Sequence, residues 1–301
     1  MTRPLRHGLM LKCAEGFRRL VCLLPLSWLP GLGRMAGRVA WACAVGARRL
    51  AEEQMLEAGV ARDAAEARRL SRRVFESLAM NALEWMHSTG WPDSLFAERV
   101  RMDTEPVRRL LAEGRGLICV TGHIGNWEVM FRAARIYHGF TQYVVMAPQR
   151  NDAVNRWLVA QRERGGDKMV SSQDGALPIV RLLRRGEMMG MLGDQDSARV
   201  SGIFVNFFGR PAYTPAGIGM LAHMCNTPIL PTAGYRTTDD NRHVLVYGEP
   251  IRPDPALDAA ADALRLTQAY TAWLEERIRE HPEQWVWIHN RWKRKPGRND
   301  E

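Results

Sequence analysis

Short apolar runs alternate with amphipathic segments from residue 117 to residue 280, and this alternation constrains the fold more than any other feature. The apolar runs are typical of strands, and the amphipathic segments are typical of helices. We predict strands at 117–121, 142–146, 188–193, 203–208, 228–235 and 243–248, and helices at 126–138, 151–164, 175–185, 214–225 and 258–280. Such alternation predicts an α/β fold, with a mostly parallel sheet flanked by helices.

The first hundred residues show helical patterns instead. Asp63 and Glu66 form a capping pair, which predicts the start of a helix. Apolar residues follow at helical spacing and are predicted to face the core: Leu70, Val74, Leu78, Ala82 and Trp85. The sequence therefore predicts a helical N-terminal region over 1–100 and an α/β domain over 101–301.

Nearly all of the net charge of +9 lies in the first fifty residues, where nine basic residues face Glu15 alone. Between Arg19 and Arg34 lies an uncharged stretch, LVCLLPLSWLPGLG, which two prolines interrupt. It is shorter than the ~20 apolar residues of a straight membrane span, and no small-residue cleavage site follows it. Apolar residues with Trp28 and flanking arginines favour a membrane interface. The alternative is a buried hydrophobic hairpin of a soluble protein.

Other classes of basic or cysteine-containing protein do not fit. The sequence has no helix-turn-helix, zinc-finger or RNA-binding signature, so we predict no nucleic-acid partner. Its five cysteines are an odd number without CxxC spacing, which indicates neither a disulfide framework nor a zinc site. A reducing compartment fits this pattern best.

The stretch VTGHIGNWEV places His123 and Glu128 five residues apart. On one continuous helix this separation turns through roughly 500°, so the two side chains would point apart. Gly122 and Gly125 permit a tight turn, and Asn126 is a good N-cap. His123 is therefore predicted in the loop after a strand and Glu128 in the first turn of a helix, where α/β sheets bind ligands.

A histidine with a carboxylate in reach can act as a general base. The chain has no GxSxG motif, and Cys119 lies within an apolar strand, so a covalent hydrolase is not indicated. A base without a nucleophile of its own can activate a hydroxyl group of a substrate. The motif alone thus indicates direct transfer of a group onto an alcohol, and an accidental match is the alternative.

Four blocks carry a resemblance to a known family. They are TGHIGNWE at 121–128, APQRNDAVNRWLVAQRERGG at 147–166, GDQDSARVSGIFVNFFGRPAYTPAG at 193–217 and HPEQWVWIHNRWKRKP at 281–296. The first resembles the His-x4-acid motif of glycerolipid acyltransferases. Together the blocks resemble the late acyltransferases of lipid A biosynthesis, a lauroyl/myristoyl transferase family that also includes acyltransferases for mycobacterial phosphatidylinositol mannosides.

The resemblance implies a glycerol-3-phosphate-acyltransferase-like fold with a membrane-associated helical N-terminal region. It implies transfer of a fatty acyl group from acyl carrier protein, or coenzyme A, to a hydroxyl of an anionic glycolipid. A lipid A precursor is the first expectation for the acceptor, and another glycolipid is the second. The implied location is the cytoplasmic face of the inner membrane, peripheral or interfacially anchored, and no cofactor or metal is implied.

The resemblance also implies roles for individual residues. His123 would take the proton of the acceptor hydroxyl, and Glu128 would orient His123. Arg162 would bind the developing oxyanion or an acceptor phosphate, unless it is a solvated helix residue. Asp194 would hold the acceptor sugar or brace the loop, unless it only caps a turn. The full implied substrate-binding set is Asn126, Arg150, Arg162, Arg164, Asp194, Gln195 and Thr214.

Two further blocks leave alternatives open. Side chains of the 203–217 block would line an acyl tunnel or pack in the core, with a helix beginning at Tyr213-Thr214. In the last block we expect Trp285 and Trp287 in the core. The cations, including Arg291, are expected at an interface with lipid headgroups or an acidic carrier protein, and a solvated tail is the alternative for them.

One departure from the family pattern bears on the acceptor. Ala147-Pro148 stands where many members have an arginine before the proline, and Arg150 would supply that charge. A different class of function also stays open at this point. A catalytically idle protein could bind anionic lipid or an acidic partner through its N-terminal cations.

Overall fold

The computed structural model describes residues 3–149, 151–197 and 200–297. Its first part is helical, and the pair Asp63 and Glu66 caps a helix as predicted, with the Glu66 N–H donating to Asp63 Oδ1 at 2.7 Å. The helices of this part are α1 (Arg3–Cys22), α2 (Leu29–Cys43), α3 (Val45–Glu57), α4 (Ala64–Ser88) and α5 (Asp93–Arg99).

A seven-stranded sheet forms the centre of the rest. Its strands are β1 (Val100–Met102), β2 (Leu117–Thr121), β3 (Gln142–Met146), β4 (Lys168–Ser171), β5 (Met188–Leu192), β8 (Ile229–Arg236) and β9 (His243–Tyr247). They lie in the order β1-β9-β8-β2-β5-β3-β4, and every neighbouring pair is parallel except β8 with β9. The prediction of a mostly parallel α/β sheet is therefore confirmed.

Helices cover both faces of this sheet. They are α6 (Glu105–Leu111), α7 (Trp127–His138), α8 (Asp152–Arg164), α9 (Leu177–Arg184), α10 (Gly217–Cys225) and α11 (Ala259–Glu280). The central strands pack bulky side chains against residues of α9, α10 and α11, among them Ile118, Val120, Met189 and Met191. The opposite face of the same strands lies under α7.

The block at 202–215 differs from its prediction. It forms an antiparallel hairpin of β6 (Gly202–Phe207) and β7 (Arg210–Pro215), so Thr214 lies in a strand and the next helix begins at Gly217. The hairpin turn has positive φ at both Phe208 and Gly209, which is the geometry of a two-residue turn that matches strand twist. The predicted helix start at 214 was wrong because this turn pairs β7 with β6.

The N-terminal helices pack through glycines. Gly33 and Gly37 of α2 lie directly against α4, where a Cβ at either position would collide with the backbone of Met80 or Glu76. Within the described residues no single helix is long and apolar enough to cross a bilayer. Leu11–Cys22 and Leu26–Cys43 have that length and composition only together, and the chain bends by 106° between them. The division at residue 100 stays a prediction.

Candidate active site

The loop between β2 and α7 depends on its two glycines. Gly125 has φ +57°, and a Cβ there would collide with the carbonyl oxygen of Gly234 on β8. Gly122 lies against the carboxylate of Asp194, so a side chain at 122 would also be crowded. Asn126 then caps α7, accepting from the Val129 N–H at 3.4 Å. This path holds His123 at the carboxyl end of β2, as predicted.

His123 is bound by Asp194. The Nδ1 atom of His123 lies 2.7 Å from Asp194 Oδ1, and the backbone N–H of His123 donates to Oδ2 at 2.7 Å. The two residues meet because Thr121 and Leu192 are in register on neighbouring parallel strands, and both residues follow their strand ends. Trp285 Nε1 donates to the same Oδ2 at 2.8 Å. The carboxylate of Asp194 therefore accepts three hydrogen bonds from two other residues.

The charge state of Asp194 follows from these contacts. Its burial alone would raise the pKa, but the charge and hydrogen bonds of His123 and the Trp285 N–H outweigh burial and lower the pKa to about 2. A carboxylate only accepts hydrogen bonds, so His123 Nδ1 is the donor, and in the neutral imidazole Nε2 then carries the lone pair of a base. The side chain of His123 is 20% exposed, which leaves it accessible to a substrate.

Glu128 pairs with Arg162 and makes no hydrogen bond or ion pair with His123. Its carboxylate receives two hydrogen bonds from Arg162 of α8, from Nε to Oε2 at 2.9 Å and from Nη2 to Oε1. Burial would lower the pKa of Arg162, but Glu128 outweighs it and raises the pKa. The prediction that Glu128 orients His123 is thus corrected, because α7 turns Glu128 toward α8 and Asp194 occupies the position beside the imidazole.

The remaining predicted residues are dispersed. Asn126 is buried and donates through Nδ2 to Glu84 Oε2 at 2.8 Å, and Thr214 is buried with its hydroxyl bound to Arg291. Arg164 lies on an outer face of α8, with a hydrogen bond to Gln161 Oε1 at 3.2 Å. Gln195 is half-buried directly after Asp194. Arg150 lies outside the described residues.

A buried polar network that was not predicted from the sequence packs against the loop between β2 and α7. Glu84 of α4 pairs with Arg236 Nη2 at 2.5 Å and with His243 Nε2 at 2.8 Å. On the same helix, Asn81 Nδ2 donates to the carbonyl oxygen of Gly125 at 2.8 Å. The sequence does contain a pattern that could have predicted this network. Polar residues recur at helical spacing on α4, and all of them are buried: Ser77, Asn81, Glu84 and Ser88.

The C-terminal segment holds the loop from the other side. The Gly125 N–H donates to the carbonyl oxygen of Gln284 at 2.9 Å, and Ile124 forms an isolated antiparallel bridge with Trp285. Trp285 and Trp287 are fully buried, so their prediction as core residues is confirmed. Arg291 corrects the other expectation, because it is buried and donates to Tyr213 O at 2.6 Å, and burial lowers its pKa to about 10.

A narrow apolar cavity lies beside His123, between the sheet and α7. Its space not filled by atoms, including the part that opens to solvent, is about 510 Å³, and Thr121, Ile124 and Trp127 line it next to the histidine. The rings of His123 and Trp127 are 4.9 Å apart. Cys119 also lines it, and burial raises the pKa of this thiol to about 12. A thiol with that pKa stays protonated at neutral pH, so Cys119 is not a nucleophile there.

The chain matches the model of one protein family over residues 9–294, and that family is described as bacterial lipid A biosynthesis acyltransferase. It is 26% identical over 234 residues to the lipid A biosynthesis lauroyltransferase of Escherichia coli, covering 77% of this chain and 74% of that protein. It is 25% identical to a lipid A biosynthesis acyltransferase of Haemophilus influenzae over 61% of this chain, and the match spans about half of that relative's length, 56%. A phosphatidylinositol mannoside acyltransferase of Mycobacterium tuberculosis is 26% identical over 60% of this chain and 56% of its own. The chain therefore belongs to the bacterial lipid A biosynthesis acyltransferase family.

Proposed function

We propose that this protein transfers a fatty acyl group from a thioester donor to a hydroxyl of an anionic glycolipid. The observation that carries the proposal is the hydrogen bond between His123 Nδ1 and buried Asp194, which leaves Nε2 as the free base of the site. His123 lies beside an apolar cavity, which is the kind of binding site that a fatty acyl chain requires. Family membership supports the same reaction class.

The chemistry needs only this chain and its two substrates. His123 Nε2 takes the proton of the acceptor hydroxyl as its oxygen attacks the thioester carbonyl carbon. Asp194 stabilises the imidazolium that forms, because its carboxylate is ionised and fixed. The tetrahedral intermediate then expels the thiolate as the carbon–sulfur bond breaks. The imidazolium returns the proton to that sulfur, which leaves the ester and the free thiol.

Arg162 and Glu128 act together in this proposal. Glu128 fixes the guanidinium of Arg162 through two hydrogen bonds but uses only part of its five N–H donors. A further donor, Nη1, lies 3.4 Å from Met146 Sδ. The remaining N–H groups can bind the oxyanion of the intermediate or a phosphate of the acceptor. Glu128 is thus a positioning residue for Arg162, and Asp194 takes the orienting role that the motif assigns to its acid.

The acceptor we propose is a phosphorylated lipid A precursor at the cytoplasmic face of the inner membrane. An anionic phosphatidylinositol-mannoside type of glycolipid is the second candidate, since a relative with that name matches 60% of this chain. Exposed apolar side chains on α1, on α2 and on the segment between them support attachment to the membrane surface. They are Phe17, Leu20, Leu23, Trp28, Met35 and Val39. The donor is acyl carrier protein, with coenzyme A as the alternative.

Mass spectrometry of lipid products tests the proposal. Purified protein is mixed with an acyl-carrier-protein thioester and a tetra-acylated, phosphorylated lipid A precursor, with the His123→Ala variant in parallel. The expected product is heavier by one acyl chain and is absent with the variant. A new acylated species only from a mannoside-containing lipid extract would move the proposal to the second acceptor. No acylated product with either acceptor, from folded protein, would contradict it.

A further inference from the structure

The cavity exists because one face of the central strands carries small side chains. Cys119 and Thr121 of β2, Gly190 of β5, and Thr232 and Gly234 of β8 all line it. Side chains alternate between the two faces of a strand, so these residues share the face under α7. The neighbouring positions on the other face are bulky core residues. The alternation leaves a hollow between the sheet and α7.

The direction of the hollow follows from the strands and from α7. Parallel strands β2, β5 and β8 end near His123, so Thr121 and Gly234 lie at the near end and Met188, the first residue of β5, lies at the far end. Helix α7 runs from Trp127 at the near end to His138 at the far end. Eleven residues of helix rise about 16 Å, a length that suits a fatty chain.

The far end differs in chemistry from the rest of the cavity. His138 is 4% exposed, and neither of its ring nitrogens has a hydrogen-bond partner within the described part of the chain. The Tyr247 hydroxyl, which also lines the cavity, is buried and without a partner among the described residues. Gln142, at the start of β3, is buried beside them. Burial, with Arg108 nearby, lowers the pKa of His138 to about 4, so its ring is neutral at pH 7.

We propose that His138, Gln142 and Tyr247 form a polar floor that limits the length of the acyl chain the enzyme accepts. This inference rests on the proposed function, because it assigns the cavity to the fatty chain of the donor. A chain that stops short of the floor leaves room for water to bind the polar atoms. A methyl end that reaches the floor covers them without replacing those hydrogen bonds, which disfavours the longer chain.

Ala134 is a second position at which a substitution should change the length of the cavity. It lies on α7 between Trp127 and His138 and lines the cavity with a single methyl group. A larger side chain at 134 would fill the middle of the hollow, and it would shorten the space without touching His123 or Asp194. The two positions therefore predict opposite changes in length preference.

The test is a competition between saturated acyl donors of graded length, with products counted by mass spectrometry. Ala134→Leu is expected to shift the preferred length to shorter chains and His138→Leu to longer ones. Each methylene gained or lost should change the ratio of kcat/KM values by about fourfold. Ala260→Leu, on the exposed first turn of α11, is the matched control and should keep the wild-type profile.

An unchanged length profile in folded Ala134→Leu and His138→Leu would overturn the inference. Thermal stabilisation by free fatty acids of the same lengths gives a readout that does not need catalysis. If the wild-type protein transfers no acyl chain, the proposed function fails. The stabilisation by fatty acids of graded length then still shows whether the cavity binds an acyl chain and which length it prefers. A length optimum that moves to longer chains with His138→Leu supports the floor, and stabilisation independent of chain length contradicts it.

Discussion

At the scale of single residues, the orienting partner of His123 lies 71 positions away in the sequence rather than five. Asp194 reaches the imidazole because β2 and β5 are neighbours in the sheet. The folded-state pKa of Asp194, about 2, lies below the ordinary value of 3.8. The ionised carboxylate therefore contributes fully to the free energy of unfolding above pH 3.8. That effect is lost as the pH falls toward 2. Throughout the physiological range His123 therefore faces an ionised carboxylate.

The pairing of Glu128 with Arg162 predicts a coupled effect on stability. Because both side chains are mostly buried, Glu128→Gln should lower the free energy of unfolding by about 2 kcal/mol. Arg162→Gln should do the same, and the double variant should lose less than the sum of the two. Urea unfolding of all three checks this. Glu163→Gln, at an exposed position on α8, is the control, and strictly additive losses would argue against the pair.

At the scale of elements, α4 connects the helical N-terminal region to the loop that holds His123. Its polar face carries Asn81, bound to the carbonyl of Gly125, and Glu84, bound to Arg236 and to Asn126. Asn126 is also the cap of α7. The loop that holds His123 is therefore set by contacts from α4 as well as by its own glycines.

This contact predicts the effect of Glu84→Gln, which keeps the shape but removes the charge that balances buried Arg236. The free energy of unfolding should fall by about 3 kcal/mol, because a buried cation loses its partner. Acyl transfer should show a lower kcat with little change in KM, since the loop loses its support but the cavity does not. Chemical denaturation and steady-state kinetics check both, with exposed Glu98→Gln as the control. Wild-type kcat in this variant would refute the link.

The sequence predicted elements better than contacts. The strands at 117–121 and 142–146 lie where the alternating apolar pattern placed them. The short strands β1 and β4 were missed, since three or four residues carry too little periodicity. On α4 the apolar periodicity alone did not identify the buried face. Ala82, predicted in the core, is exposed, and Glu84 is buried. The partners of His123 and Glu128 depend on packing between distant segments.

At the scale of the whole molecule, exposed apolar side chains concentrate on the N-terminal helices. Met35 and Val39 share one face of α2, opposite the glycines that pack on α4, and each is 60% exposed. Phe17 and Leu20 share a face of α1. Exposed arginines accompany them, including Arg19 and Arg34. Apolar surface with cations suits the interface of a bilayer that contains anionic lipid.

This surface predicts that the protein sediments with vesicles that contain anionic lipid. Leu20→Asp should weaken vesicle binding at least about tenfold, because it removes a leucine and adds a repelled charge. Leu177→Asp is the matched control, since both leucines are 58% exposed and Leu177 lies on α9, away from the N-terminal helices. Equal loss in both variants would show that the N-terminal surface has no special role.

In the proposed reaction His123, oriented by Asp194, is the general base of acyl transfer. The measurement of kcat for the wild type and for Asp194→Asn, with folding checked by circular dichroism, tests this role. The substitution keeps the size of the side chain but removes the charge and favours the wrong imidazole tautomer, so kcat should fall by about 10² to 10⁴ with little change in KM. Wild-type kcat in folded Asp194→Asn would show that Asp194 does not orient the base.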